Sequence, residues 1–287
     1  MRKSRAGKSK AAMLRRLITR GCVAMPGAFN GLTARLIEQI GFDAVYVSGA
    51  GLSNATAGVP DIGLLSREEF ARLAGYIAAA VAIPVVSDAD TGFDDAAKTV
   101  QMFERAGLAG LHLEDQEFPK RCGHLGGKTL VKPAEMAKKI KAAVNARRDR
   151  DFLVIARTDA RSVEGFEAAV ARAQIYLQAG ADAIFPEALE SAEEFAEFAR
   201  KVRAPLMANM TEFGRSPLLS VHELATMGYR LVIFPQTALR AAMAVEQQCL
   251  RDLYRQGSQK KWRSKMQSRQ ELYELLRYDP SADEWTG

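Results

Sequence analysis

The run Lys120-Arg121-Cys122-Gly123-His124 sets two bases, a thiol, a glycine and an imidazole side by side. A thiol in that company serves as a metal ligand, a nucleophile or a proton donor, or it is a small buried side chain. Zinc would need further Cys and His at ligand spacing. The chain has three cysteines (Cys22, Cys122, Cys249) and three histidines (His112, His124, His222), with no second pair beside Cys122. Cationic neighbours lower a thiol's pKa and make it a usable acid or nucleophile near neutral pH. Cys122 therefore reads as functional, whereas Cys22 and Cys249 sit in apolar patterns and read as packing residues.

The stretch Ser87-Asp88-Ala89-Asp90-Thr91-Gly92 offers different chemistry. Residues two apart on a strand point the same way, so Asp88 and Asp90 are expected to project together. Two carboxylates so placed repel each other unless a cation lies between or beside them. Hard oxygen donors without a His or Cys pair favour Mg²⁺ or Mn²⁺ over zinc, and Glu114 joins the set through water. The plainer reading makes these acids turn formers with Asp94 as a helix N-cap; it accounts for Asp94 and leaves Asp88 unexplained.

Such residues need a frame. Segments 41–48, 107–114, 180–187 and 228–235 (GFDAVYVS, GLAGLHLE, GADAIFPE, GYRLVIFP) each open with Gly after a helical pattern and run on into apolar residues. The glycines predict left-handed helix C-caps, and the short apolar runs predict buried parallel strands. Segments 22–27, 83–90, 151–158 and 204–211 supply four more strands. Ser66 with Glu69 and Ser191 with Glu194 have capping-box spacing, and Pro133 fits the first turn of a helix. About eight βα units point to an α/β fold, a (β/α)₈ TIM-type barrel, over a doubly wound sheet, which would show a Gly-rich phosphate turn. Strand C-terminal ends then carry Ser48, Asp88, Asp90, Glu114, Asp115, Arg157, Asp159, Glu187, Asn209 and Thr211. Acids and an arginine at apolar strand ends are costly to desolvate unless they serve one site.

The chain of 287 residues carries a formal charge of +6, but eight Lys and Arg fall in the first 20 residues and no acid precedes Glu38. Residues 1–12 read as a flexible basic tail, with a transit peptide as the competing reading, and 13–287 as one barrel domain with a helical C-terminal extension. The remaining charges are mixed, which argues against nucleic acid. No apolar run approaches the roughly 20 residues needed to cross a bilayer. Three separated cysteines suit a reducing, cytoplasmic setting.

Taken in order, YVSGAG, SDADTGF, LHLEDQ followed by KRCGH, ARTDA and ANMTEFG resemble the isocitrate lyase and phosphoenolpyruvate mutase superfamily, and within it the short 2-methylisocitrate lyases. The likeness runs from about residue 14 to residue 278. It implies a (β/α)₈ barrel whose last helix is exchanged between subunits, commonly in a homotetramer. It also implies Mg²⁺-dependent cleavage of a carbon–carbon bond in a 2-hydroxy di- or tricarboxylate. Carried over position by position, the resemblance assigns substrate contacts to Ser48, Gly49, Ala50, Cys122, Gly123, His124, Arg157, Glu187, Asn209, Met210, Thr211, Arg240 and Arg269. It assigns metal binding to Asp88 and Asp90 with Glu114. In retro-aldol cleavage of 2-methylisocitrate to pyruvate and succinate, Cys122 would be the general acid, with Tyr46, Asp61 or a metal-bound water as candidate bases. Phe185, Ile233 and Pro235 suit a substrate methyl. The alternatives within this chemistry are 2,3-dimethylmalate or isocitrate cleavage and oxaloacetate decarboxylation; phosphonate chemistry is more distant.

Overall fold

A computed structural model describes residues 9–121, 123–282 and 284–285; Cys122 lies outside the described residues. The chain enters through α1 (Lys10–Arg20), so residues 10–12, read above as tail, are already helical. Its buried Ala11, Leu14 and Ile18 form one stripe. Lys10 Nζ reaches the carbonyls of Ala78 and Val81, and Arg15 pairs with Asp182 at 2.7 Å. These contacts seat α1 across the end of the molecule where strands begin.

Among the described residues, eight parallel strands follow: β1 (Val23–Pro26), β2 (Val45–Val47), β3 (Val85–Asp88), β4 (Gly110–Glu114), β5 (Leu153–Thr158), β6 (Ala183–Pro186), β7 (Met207–Asn209) and β8 (Leu231–Phe234). One sheet has the order β2-β3-β4-β5-β6 and the other β1-β8-β7. The bridges Gly27 to Tyr46 and Ile184 to Leu206 join them into a closed barrel. Strands β3 to β6 are buried along their whole length, as strands packed inside a barrel and covered by helices must be.

The connecting helices are α2 (Gly31–Ile40), the short α3 (Gly49–Leu52), α4 (Arg67–Ala80), α5 (Ala96–Arg105), α6 (Pro133–Ala146), α7 (Phe166–Gln178), α8 (Ala192–Lys201) and α9 (Val221–Met227). Gly41, Gly107, Gly180 and Gly228 all have left-handed φ between 88° and 106°, as the repeated Gly-apolar pattern predicts. Ser66 and Glu69 form a full capping box at α4. Ser191 caps α8 from one side only, because the Glu194 carboxylate is drawn to Arg161 at 2.7 Å. The N-cap of α5 is Asp95, not Asp94; Asp94 pairs with Arg67 at 2.6 Å instead.

Beyond β8 come α10 (Thr237–Gln256) and α11 (Arg269–Leu276). Leu239 is the buried residue of α10, while Met243, Val245, Leu250, Leu253 and Tyr254 are exposed. Helix α11 packs back on α2, with Arg277 reaching Glu38 at 2.9 Å. No helix of the described residues is long and apolar enough to cross a membrane.

Candidate active site

The C-terminal ends of the strands surround a cavity of about 600 Å³. Its floor is built by strand alternation. On β4, His112 and Glu114 share the inward face, and both are fully buried. The Tyr46 hydroxyl meets His112 Nε2 at 2.7 Å.

Arg157, at the end of β5, is the central cation. Its guanidinium grips Asp159 through two bonds of 2.9 and 3.1 Å, reaches Glu187 at 3.2 Å and Glu114 at 3.4 Å, and lies 5.2 Å over the Phe185 ring. Burial alone would raise Glu187, but the Arg157 charge and a His124 hydrogen bond outweigh it and hold this carboxyl well below its usual range. Burial likewise opposes ionisation of Asp159, and Arg157 with Lys128 overcomes it. Glu114 receives less support, and burial pushes it well up.

His124 arrives on the loop after β4. Its Nδ1 accepts the Arg215 backbone N–H at 3.0 Å, so Nε2 carries the proton and faces Glu187 Oε1 at 3.0 Å. Lys120 arrives on the same loop and stands between Asp61 at 2.6 Å and Asp90 at 2.5 Å. The Asp90 contact is a close, buried ion pair. Burial raises Asp90 to about 6 against the pull of Lys120.

The residue set fits a divalent cation. Six carboxylates (Asp61, Asp88, Asp90, Glu114, Asp159, Glu187) face three cations (Lys120, Lys128, Arg157). Glu114 Oε1 is buried without a hydrogen-bond partner among the described residues. No group of three or more His, Cys, Asp or Glu forms a ready-made ligand cage among the described residues. That donor set suits Mg²⁺, which takes one or two carboxylates and keeps several waters.

The phosphoenolpyruvate phosphomutase family model matches residues 14–254. The chain belongs to this family. It is 51% identical over 270 residues to the 2-methylisocitrate lyase of Aeropyrum pernix, an alignment covering 93% of this chain and 87% of that protein. Among solved structures, a 2,3-dimethylmalate lyase superposes with a TM-score of 0.89 at 36% identity, covering 94% of this chain and 92% of the other. A phosphonopyruvate hydrolase bound to oxalate and Mg²⁺ gives 0.84 at 33% identity, covering 93% and 95%. The closed parallel barrel is thus the TIM-type barrel of this superfamily.

The cavity gathers many of the residues read from the sequence. Tyr46, Ser48, Ala50, Asp61, Asp88, Glu114, Gly123, His124, Arg157, Glu187, Asn209, Thr211 and Arg240 line it, as do Phe185, Ile233 and Pro235. Gly49 stands behind the wall, its N–H meeting Asp88 Oδ2 at 3.2 Å. Met210 points into the core, where its sulfur accepts the Leu219 N–H. Arg269 opens α11 beside Tyr273 and Tyr278 in a separate surface cavity, so this single chain does not bring it to the mouth.

Strand alternation does not place Asp90. Strand β3 ends at Asp88, and Asp90 has φ 48°; its N–H turns back to Asp88 Oδ1 at 2.9 Å. Asp115 is also not a mouth residue. It is buried beneath, accepting from Thr158, the Asp159 N–H and Tyr176 and pairing with Arg172. Sequence reasoning passed over His112, Lys128 and the direct role of Lys120. For His112 a signal existed, since it lies two residues before Glu114 on the same strand face.

Burial lowers His112 to about 4. The unfolded chain therefore takes up a proton there between about pH 6.5 and pH 4 that the folded chain refuses, and stability falls as pH falls. Asp90, raised to about 6, acts oppositely below that pH. A difference measurement isolates the histidine. His112→Gln is expected to lose less stability than wild type from pH 7 to pH 4, by up to about 3 kcal/mol in urea unfolding. Parallel curves for the two proteins would show that His112 titrates normally.

Proposed function

We propose that this protein is a Mg²⁺-dependent carbon–carbon lyase that cleaves 2-methylisocitrate to pyruvate and succinate. The observation that carries the reading is Arg157 in its ring of Glu114, Asp159 and Glu187, facing a cavity whose lining includes the apolar trio Phe185, Ile233 and Pro235. Relatives named 2-methylisocitrate lyase support it. Mg²⁺, held by Asp88 with Glu114 nearby, would supply Lewis-acid stabilisation of the substrate hydroxyl and carboxylate.

The chain's own residues carry the proton traffic. Burial and the Asp88 charge push the Tyr46 phenol well up, and it is hydrogen-bonded to His112, so Tyr46 keeps its proton and orients substrate. Asp61, at the rim and bonded to Lys120, is then the base that takes the hydroxyl proton. Scission leaves a carbanion delocalised into a neighbouring carboxylate. Arg157, Asn209 and Thr211 stand where that charge develops, the arrangement that contributes most to rate. Cys122 gives its proton to this carbon, completing succinate beside pyruvate. Cys122→Ser is expected to reduce turnover about 10²-fold, within the range for a lost general acid, while product affinity stays within a few-fold. Wild-type turnover would remove the assignment.

The exposed apolar face of α10 supports exchange of this helix between subunits of a homotetramer, with a partner's tail supplying Arg269 to the mouth. A cytoplasmic setting belongs to the same reading. The deciding experiment offers the purified protein with Mg²⁺ four acids: 2-methylisocitrate, isocitrate, 2,3-dimethylmalate and oxaloacetate. Pyruvate with succinate as the fastest reaction supports the proposal. Because one methyl is worth about 1–3 kcal/mol, the preference should be some 10- to 200-fold. Glyoxylate from isocitrate, or propionate with pyruvate from dimethylmalate, as the faster reaction reassigns the substrate. No product from any acid rejects the lyase reading.

A further inference from the structure

The loop from Asp115 to Lys132 is fastened by side chains at several points. The Gln116 amide bonds both the N–H and the C=O of Arg121 at 2.9 Å, as a neighbouring strand would. Arg215 holds His124 by its imidazole and its carbonyl. The deepest fastening is Lys128, which closes the Leu125-Gly126-Gly127 turn. Its side chain is 1% exposed and its ammonium bonds Asp159 Oδ1 at 2.9 Å and the Gly123 carbonyl together. Asp159 is the same carboxylate that grips Arg157. The loop backbone meets this cluster at Gly123. A Cβ there would fall 2.3 Å from Arg157 Nη2 and 2.5 Å from Glu187 Cγ, so only glycine allows the approach.

Charge balance does not explain the bond from Lys128 to the Gly123 carbonyl. Lys128 helps Arg157 keep Asp159 ionised, but Arg157 already gives that carboxylate two bonds, and Lys128 spends one donor there. Burying an ammonium is costly unless its donors are used. The donor that Asp159 does not use goes to a main-chain carbonyl of the loop.

We propose that Lys128 is a positioning residue: by bonding Asp159 and the Gly123 carbonyl at once, it sets the loop backbone against Arg157 in the register the reaction needs. This rests on the lyase reading above. Lys128→Met keeps the stem and removes the ammonium. It is expected to lower kcat about 10- to 100-fold while KM stays within about threefold, because misplacement by an ångström costs rate while the groups that bind the acid are intact. In the resting protein, hydrogen exchange over residues 116–130 should accelerate at least about tenfold, with the barrel strands unchanged. Lys128→Arg should recover part of both, since it retains donors able to reach both acceptors.

Wild-type exchange in this loop for Lys128→Met overturns the proposal, as does a faster exchange spread over the whole barrel, which marks a merely structural cation. Unchanged kcat with a loosened loop overturns its role in the reaction. If the wild-type protein cleaves none of the four acids, the lyase reading fails by itself, and the exchange comparison still decides whether Lys128 holds the loop.

Discussion

Asp88→Ala is expected to lower turnover by about 10³-fold or more and to abolish tight Mn²⁺ binding measured by electron paramagnetic resonance. A divalent ion supplies several kcal/mol of charge stabilisation to such a reaction, and each 1.4 kcal/mol is tenfold in rate. Asp88 ends β3 fully inside the mouth, where burial opposes its charge and Lys120, Arg157 and the Asp90 N–H act against burial to keep it ionised. Its two oxygens also receive the Asp90 and Gly49 N–H groups, so deletion loosens the turn as well as removing a ligand. Asp88→Asn separates the two effects. The amide oxygen still accepts one backbone N–H, while the negative charge is gone. The expected result is a stable protein that has lost Mn²⁺ binding and turnover together. Wild-type Mn²⁺ affinity in Asp88→Asn would place the metal elsewhere, with Lys120 as the only cation that the Asp61 and Asp90 carboxylates require.

The barrel was legible in the sequence because its signals are local. A left-handed glycine followed by an apolar run recurs four times, and each instance lies at the C-terminal end of a helix and leads into a strand. Strand-end chemistry was legible for the same reason wherever the strand persists to its last residue, as at Glu114 and Arg157. It failed where the backbone leaves the strand early. Asp90 turns left-handed two residues past β3, and Asp115 rotates beneath the mouth toward α7. Period-two reasoning has no purchase on a residue outside the ladder.

The loop contacts were illegible for a different reason. Lys120 reaches Asp61 across 59 positions and Lys128 reaches Asp159 across 31. No spacing rule links such pairs. In the sequence Lys120 reads as a cation tuning its neighbouring thiol; in the fold its ammonium is the counter-charge of two distant aspartates. Helix α7 hides a comparable case. Arg172 belongs to a mixed helix sequence, yet it is 4% exposed and joins Asp115, Glu164 and Tyr176 into the support under β5.

Arg157→Met tests whether one guanidinium both assembles the site and stabilises the fold. Removing it leaves Glu187 and Glu114 buried without their main cation, and breaking a buried pair from one side costs about 3–5 kcal/mol. Activity should fall about 10³-fold, the upper range for losing one preorganised charge donor. The pH dependence identifies the mechanism. In the wild type Glu187 is held below its unfolded value, so its contribution is present above about pH 4.5 and is lost as pH falls through the folded value. In the variant burial acts with less opposition and raises Glu187, so the folded state gains stability by taking up a proton as pH falls. The stability gap between the two proteins should therefore be widest at pH 7 to 8 and narrow steadily toward pH 4 in urea unfolding. Arg157→Lys restores one charge but not the two-pronged grip on Asp159, so it should recover more stability than turnover. A gap that stays constant with pH would mean that the methionine variant suffers from lost packing against Phe185 and not from stranded carboxylates.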